Sequence, residues 1–143
     1  MEIIPLVKEL CESASKLEKN YLSTAWSENQ LAQIIENPVY FYVTALEKGT
    51  LCGVGGVICT SIDSAEIFTV AVDEKCRGKG IGGKILSSLI EFCNSKNAES
   101  IFLEVEEGNH SAIGLYEKFG FSAVGVRKGF YHGKNAIIMR KEL

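Results

Sequence analysis

Apolar residues fall at Val7, Leu10, Cys11, Ala14 and Leu17, three and four apart. That is the spacing of one buried helix face, and it predicts a helix over Val7–Asn20 behind a short strand, Ile3–Leu6. Ser27 with Gln30 three residues on reads as a capping box that opens a second helix, and Asn37-Pro38 stops it. The period then shortens. Val39–Leu46 and Leu51–Thr60 are strand-like runs around Lys48-Gly49, the pattern of an antiparallel hairpin. Ala65–Val72 is a further strand, and Gly80–Ser95 carries Ile81, Ile85, Leu89 and Phe92 at helical intervals. Ser100–Val105 reads as strand, Ser111–Phe119 as helix, and segments near 121–128 and 135–141 as two closing strands. The order β-α-α-β-β-β-α-β-α-β-β predicts an α/β fold, a mixed sheet with helices against it.

Within that order, Val70 to Glu104 forms one right-handed βαβ unit, so its two strands run parallel and end on one edge. Ligands of such sheets sit at the carboxyl ends of the strands. At that edge stands Cys76-Arg-Gly-Lys-Gly-Ile-Gly-Gly-Lys84, a glycine-rich turn between strand and helix. The first N–H groups of a helix lack intrahelical acceptors, the dipole is positive there, and glycines admit close approach, so the turn predicts a phosphorylated ligand. Arg77, Lys79 and Lys84 add cations to a stretch without an acid, although the chain carries net charge −3.

Three motifs compete for this turn. Gly78-x-Gly80-x-x-Gly83 matches a dinucleotide fingerprint, with Glu104 placed for a ribose, but the βα units such a fold still needs do not follow. Gly78-x-x-x-x-Gly83-Lys84 approaches a P-loop, but Ile85 supplies no hydroxyl for Mg²⁺. The third is Arg77-x-x-Gly80-x-Gly82, followed by Phe102-Leu-Glu-Val105, Asn109-x-x-Ala112-x-x-Leu115-Tyr116 and Phe119-Gly120-Phe121. That series resembles the acyl-coenzyme-A site and second half of the GNAT superfamily of N-acetyltransferases, over roughly residues 65 to 141. With Ala25-Trp26-Ser27-Glu28 and Ala136-Ile-Ile-Met139, it is more narrowly similar to bacterial ribosomal-protein-alanine N-acetyltransferases.

The resemblance implies acetyl-CoA as co-substrate, no metal, and direct attack by an amine on the thioester. It makes Glu104 the general base and Tyr116 the acid for the departing thiolate. Bound coenzyme would meet backbone groups of Val70, Ala71 and Val72, the turn Arg77, Gly78, Lys79, Gly80, Ile81, Gly82 and Gly83, and the side chain of Asn109. From the residues alone, Glu104 is equally a strand-end carboxylate, Tyr116 a packing aromatic and Asn109 a helix cap. Glu66, in Ala65-Glu66-Ile67, competes as base in the manner of lysine-modifying relatives, although a straight strand puts it about 20 Å from the phosphate end. The implied acceptor is a protein N-terminus, that of a small-subunit ribosomal protein, with Trp26, Tyr131 and the last hairpin forming its groove. Ala25 stands where the family has proline, and Gly129–Asn135 is shorter than the family loop and lacks its acidic residue. Those departures fall on acceptor recognition.

Composition narrows the remainder. With 143 residues, 46% of them hydrophobic, one domain over 1–143 is expected. The apolar runs are shorter than a membrane span and the N-terminus lacks a secretion-signal layout, which points to the cytoplasm. Five cysteines without Cys-x-x-Cys, and two histidines, His110 and His132, give no zinc spacing, so reduced structural thiols are expected. Cys76 lies beside the turn with no histidine base in its sequence neighbourhood. A single basic cluster on an acidic chain argues against a nucleic-acid partner. The other functions left open are acetylation of lysine or a small amine, and acyl-CoA binding without catalysis.

Overall fold

The structure is a computed structural model that describes residues 1–60, 63–131 and 133–143, with backbone alone at 130 and 131. It contains β1 (Glu2–Pro5), α1 (Cys11–Tyr21), α2 (Glu28–Ile35), β2 (Tyr40–Glu47), β3 (Thr50–Ile58), β4 (Ser64–Val72), α3 (Ile81–Ser95), β5 (Ser100–Glu106), α4 (His110–Lys118), β6 (Ser122–Tyr131) and β7 (Lys134–Glu142). The order is the one expected. Boundaries move by up to three residues, and the predicted first helix divides into a 3-10 turn, Lys8–Leu10, and α1. The α2 start is a complete capping box, in which Ser27 Oγ accepts from Gln30 N–H and Gln30 Oε1 accepts from Ser27 N–H. Lys48 and Gly49 both take positive φ, as a tight hairpin with the strands' twist requires.

The seven strands form one sheet in the order β1-β2-β3-β4-β5-β7-β6, antiparallel except for β4 beside β5. Alternate residues feed two cores. Val43 and Ala45 join Ile85, Leu86, Leu89, Ile101 and Leu103 under α3, whereas Tyr42 and Val54 join Ala14, Leu17 and Leu31 under α1 and α2. Ile85, Leu86 and Leu89 are wholly buried, and each such side chain contributes roughly 1.5–3 kcal/mol over its exposed state. A Cβ at Gly55 would lie 2.2 Å from Ile85 Cγ2, so the close seat of α3 on β3 requires glycine there. Among the described residues, no helix is long and apolar enough to cross a membrane.

The sheet opens in its middle. Strands β4 and β5 pair in parallel only from Ser64↔Ser100 to Ile67↔Leu103. Beyond that point β4 continues to Val72 against β3 alone, while β5 continues to Glu106 against β7. The register of β3 on β4 shifts between Gly56 and Val57, facing Thr69 and Ile67, which leaves Phe68 as the extra residue of a bulge. The bulge bends β4 away from β5, and the edge it exposes between Phe68 and Val72 forms one wall of a cleft.

Candidate active site

The cleft has two connected arms that share Tyr21, Leu22, Val70, Asn109, Ala112 and Tyr116. One arm runs along Val70–Val72 to the glycine-rich turn and the first turn of α3. There Gly80 caps the helix in a left-handed conformation, φ 79°, with no side-chain cap, and the first intrahelical bond is Lys84 N–H to Gly80 O at 3.1 Å. The N–H groups of Ile81, Gly82 and Gly83 therefore precede the helical ladder, where a bound anion can accept from them. Gly78 and Gly80, with φ of 82° and 79°, would have nothing within 4 Å of an added Cβ, so the turn is open on the ligand side. Gly82 and Gly83 serve packing as well. Cβ positions there lie 3.2 Å from Leu115 Cδ2 and 3.3 Å from Phe119 Cζ, which lets α4 sit close against the start of α3.

The cations of the turn are partly committed elsewhere. Arg77 Nε donates to Val72 O at 3.1 Å and its guanidinium lies over the Tyr21 ring at 4.9 Å. Lys79 Nζ meets Glu47 Oε2 at 3.2 Å, holding that carboxyl below its usual range, and its side chain does not line the cleft. Lys84 and Lys118 are exposed on the helices. What faces a ligand in this arm is chiefly backbone. Behind the turn, Glu47, Cys52 and Cys76 bring their polar atoms within 4.8 Å of one another. Burial, then the neighbouring Cys76 thiol, pushes the Cys52 thiol up to about 11.

The other arm passes between the parted strands and brings in the proton-handling groups. Glu104 alternates with Leu103 and Val105, which enter the α3 core, so its carboxylate reaches the cleft from the opposite face. Arg127 Nη2 lies 2.8 Å from its Oε1. In register, Arg127 faces Ala136 on β7 and Ala136 faces Glu106, and the small alanine leaves the guanidinium a path to β5. Tyr116 enters from the α4 side, 8% exposed, its ring edge-on to Phe121 at 5.9 Å, and it lines both arms. Asn109 caps α4 through Oδ1, which accepts from Ala112 N–H at 3.2 Å, leaving its amide hydrogens as the donor toward the cleft. The Thr69 hydroxyl, also on the cleft wall, is buried without a hydrogen-bond partner among the described residues.

The structure separates the two glutamates. Glu66 is exposed on β4 opposite Phe102, where β4 and β5 are still paired, and it lines neither arm. Trp26 likewise stands off the cleft wall. Partly buried, it packs on Phe68, centroids 4.9 Å apart, and edge-on to Tyr40 at 5.9 Å, while Tyr21, Leu22, Ser23 and Thr24 form the wall. His110 is exposed at the start of α4. Tyr131 ends β6 by its backbone, and His132 lies outside the described residues. Missed in the sequence are Arg127, Thr69 and a buried carboxylate, Glu18, bonded to Tyr42 and to the backbone of Trp26.

Comparisons with known proteins agree on the fold and the family. The family model described as Acetyltransferase (GNAT) family matches residues 6–121. A Bacillus subtilis relative, provisionally named a ribosomal protein bS18-alanine N-acetyltransferase, is 33% identical over 127 residues, covering 87% of this chain and 83% of its own. The crystal structure of the ribosomal-protein-S18-alanine N-acetyltransferase from Escherichia coli superposes with a TM-score of 0.86 at 27% identity, over 99% of this chain and 92% of that one. A chain from the NatC complex bound to Gag peptide and CoA superposes with a TM-score of 0.84 at 25% identity, over 100% and 99% of the two chains.

Proposed function

The chain belongs to the acetyltransferase (GNAT) family, and we propose that residues 1–143 form one cytoplasmic domain that transfers the acetyl group of acetyl-CoA to the N-terminal amine of a protein. The finer acceptor we propose is the N-terminal alanine of a small-subunit ribosomal protein, as the names of its relatives suggest. The observation that carries the reading is the cleft itself: backbone donors of the α3 start line one arm, while Glu104 and Tyr116 line the other from opposite faces of the sheet.

The residues divide the work as follows. The N–H groups of Ile81, Gly82 and Gly83, with the turn Arg77–Gly80, hold the pyrophosphate. The exposed edge of Val70, Ala71 and Val72 and the amide of Asn109 hydrogen-bond the arm of the coenzyme. Glu104 takes a proton from the acceptor amine as its nitrogen bonds to the thioester carbon. The carbon–sulfur bond breaks, and Tyr116 supplies a proton to the departing thiolate. Arg127 orients the Glu104 carboxylate. An α-amine, with a pKa near 8 against about 10.4 for lysine, is free base at neutral pH roughly 10²-fold more often, so one carboxylate suffices as base. No step needs a metal.

Tyr116→Phe tests this division and the possibility of a module that binds without catalysis. It keeps the ring on Phe121 and removes the hydroxyl, so kcat should fall at least about tenfold while the acetyl-CoA Kd by calorimetry stays within error. Coenzyme binding by the wild-type protein without turnover of any amine would leave the fold and remove the enzyme.

A further inference from the structure

The cleft wall opposite β4 and β5 is a loop, and its anchoring is unusual. Tyr21, Leu22, Ser23 and Thr24 line the Glu104 arm. The loop is tied at both ends. At its start, Tyr21 Oη accepts from Glu74 N–H at 2.8 Å, beside the Arg77 guanidinium. At its end, Trp26 N–H donates to Glu18 Oε1 at 3.0 Å, and Ser15 Oγ donates to Trp26 O at 2.8 Å. The other oxygen of Glu18 accepts from Tyr42 Oη. Glu18 is 0% exposed, and no cation pairs with it among the described residues.

An unpaired carboxylate in a core is costly. Burial disfavours its charged form and raises the pKa of Glu18, with the Tyr42 and Trp26 hydrogen bonds opposing. An apolar residue in its place would avoid that cost but leave Trp26 N–H and the Tyr42 hydroxyl without their acceptor. Glu18 thus supplies an acceptor for Trp26 N–H at the end of the loop and is itself held by Tyr42 from β2.

We propose that Glu18 is a positioning residue: through Trp26 it fixes the Leu22–Trp26 loop, and so the wall along which the acceptor is presented to Glu104. The proposal rests on the transferase reading for the meaning of that wall, but the anchoring can be read separately, because Trp26 is the only tryptophan in the chain. Glu18→Ala removes both acceptor oxygens, whereas Glu18→Gln keeps a carbonyl for Trp26 N–H and an amide that can donate to Tyr42 Oη. In the full-length protein, Glu18→Ala should increase acrylamide quenching of Trp26 about twofold and raise the acceptor-peptide KM about tenfold or more, since small misplacements near a reacting centre are expensive. The acetyl-CoA Kd should change by less than about twofold, and Glu18→Gln should restore most of both losses. Should Glu18→Ala fail to fold, Ser15→Ala removes the second tie to Trp26 and should show the same pattern in smaller measure. Unchanged Trp26 quenching, equal movement of KM and acetyl-CoA Kd, or Glu18→Gln as damaging as Glu18→Ala would overturn the proposal. A wild-type protein inactive on every N-terminal peptide would instead defeat the acceptor reading, leaving the quenching result to decide the loop.

Discussion

Glu104→Gln should lower kcat by about 10²- to 10⁴-fold, the usual contribution of a positioned general base. The substitution keeps the shape of the side chain and removes its capacity to take a proton. Its loss to stability should be small, because the partner Arg127 has a half-exposed side chain and such pairs contribute at most about 1 kcal/mol. The acetyl-CoA Kd should be nearly unchanged, since Glu104 lines the arm away from the glycine-rich turn. Glu66→Gln should cost less than about threefold, as Glu66 sits on the paired part of β4 and lines neither arm. A larger fall in kcat at saturating substrates for Glu66→Gln than for Glu104→Gln would reverse the assignment and favour the arrangement of lysine-modifying relatives.

Gly82→Trp should weaken acetyl-CoA binding by about 10²-fold or more, with the melting temperature lowered by only a few degrees. The affinity estimate follows from losing two phosphate hydrogen bonds at about 1.5 kcal/mol each. The crowding is local: the one neighbour nearer than 3.4 Å to a Cβ at Gly82 is Leu115 Cδ2, the far end of a flexible side chain, with Val72 Cγ2 at 3.8 Å. The indole should therefore occupy the arm, whose lining includes Val72, Gly82 and Leu115. Calorimetry reads the affinity, and circular dichroism verifies the fold. Unaltered affinity in a folded variant would move the coenzyme away from this turn.

The elements legible in the sequence are those decided by neighbours in the chain. Ser27 with Gln30 and Lys48 with Gly49 act within a few residues, and a strand–helix–strand pattern with one crossover helix makes β4 and β5 parallel. The bulge at Phe68 was not legible, because it answers the register of β3; the glycine pair Gly55-Gly56 was its one trace. Charge pairing is hidden for the same reason. Lys79 reads locally as a phosphate cation, and in the structure Glu47, distant in sequence and near in space, pairs with it. Arg127 reaches Glu104 across a strand that follows it in sequence, and Glu18 meets Tyr42 over 24 positions. Partners chosen by sheet topology leave no periodic signal. Trp26, expected from the sequence in the acceptor groove, packs on Phe68 and Tyr40, and the residues that line the cleft there are Tyr21, Leu22, Ser23 and Thr24.

The central claim is that this cleft passes an acetyl group to a chain-terminal amine. A peptide that begins with alanine and carries an internal lysine, incubated with acetyl-CoA and the wild-type protein, puts both acceptors before the enzyme at once. Tandem mass spectrometry then locates the added acetyl group. One acetyl group is expected, on the alanine α-amine, with the lysine unmodified; acetylation of the lysine with a free N-terminus would contradict the N-terminal reading.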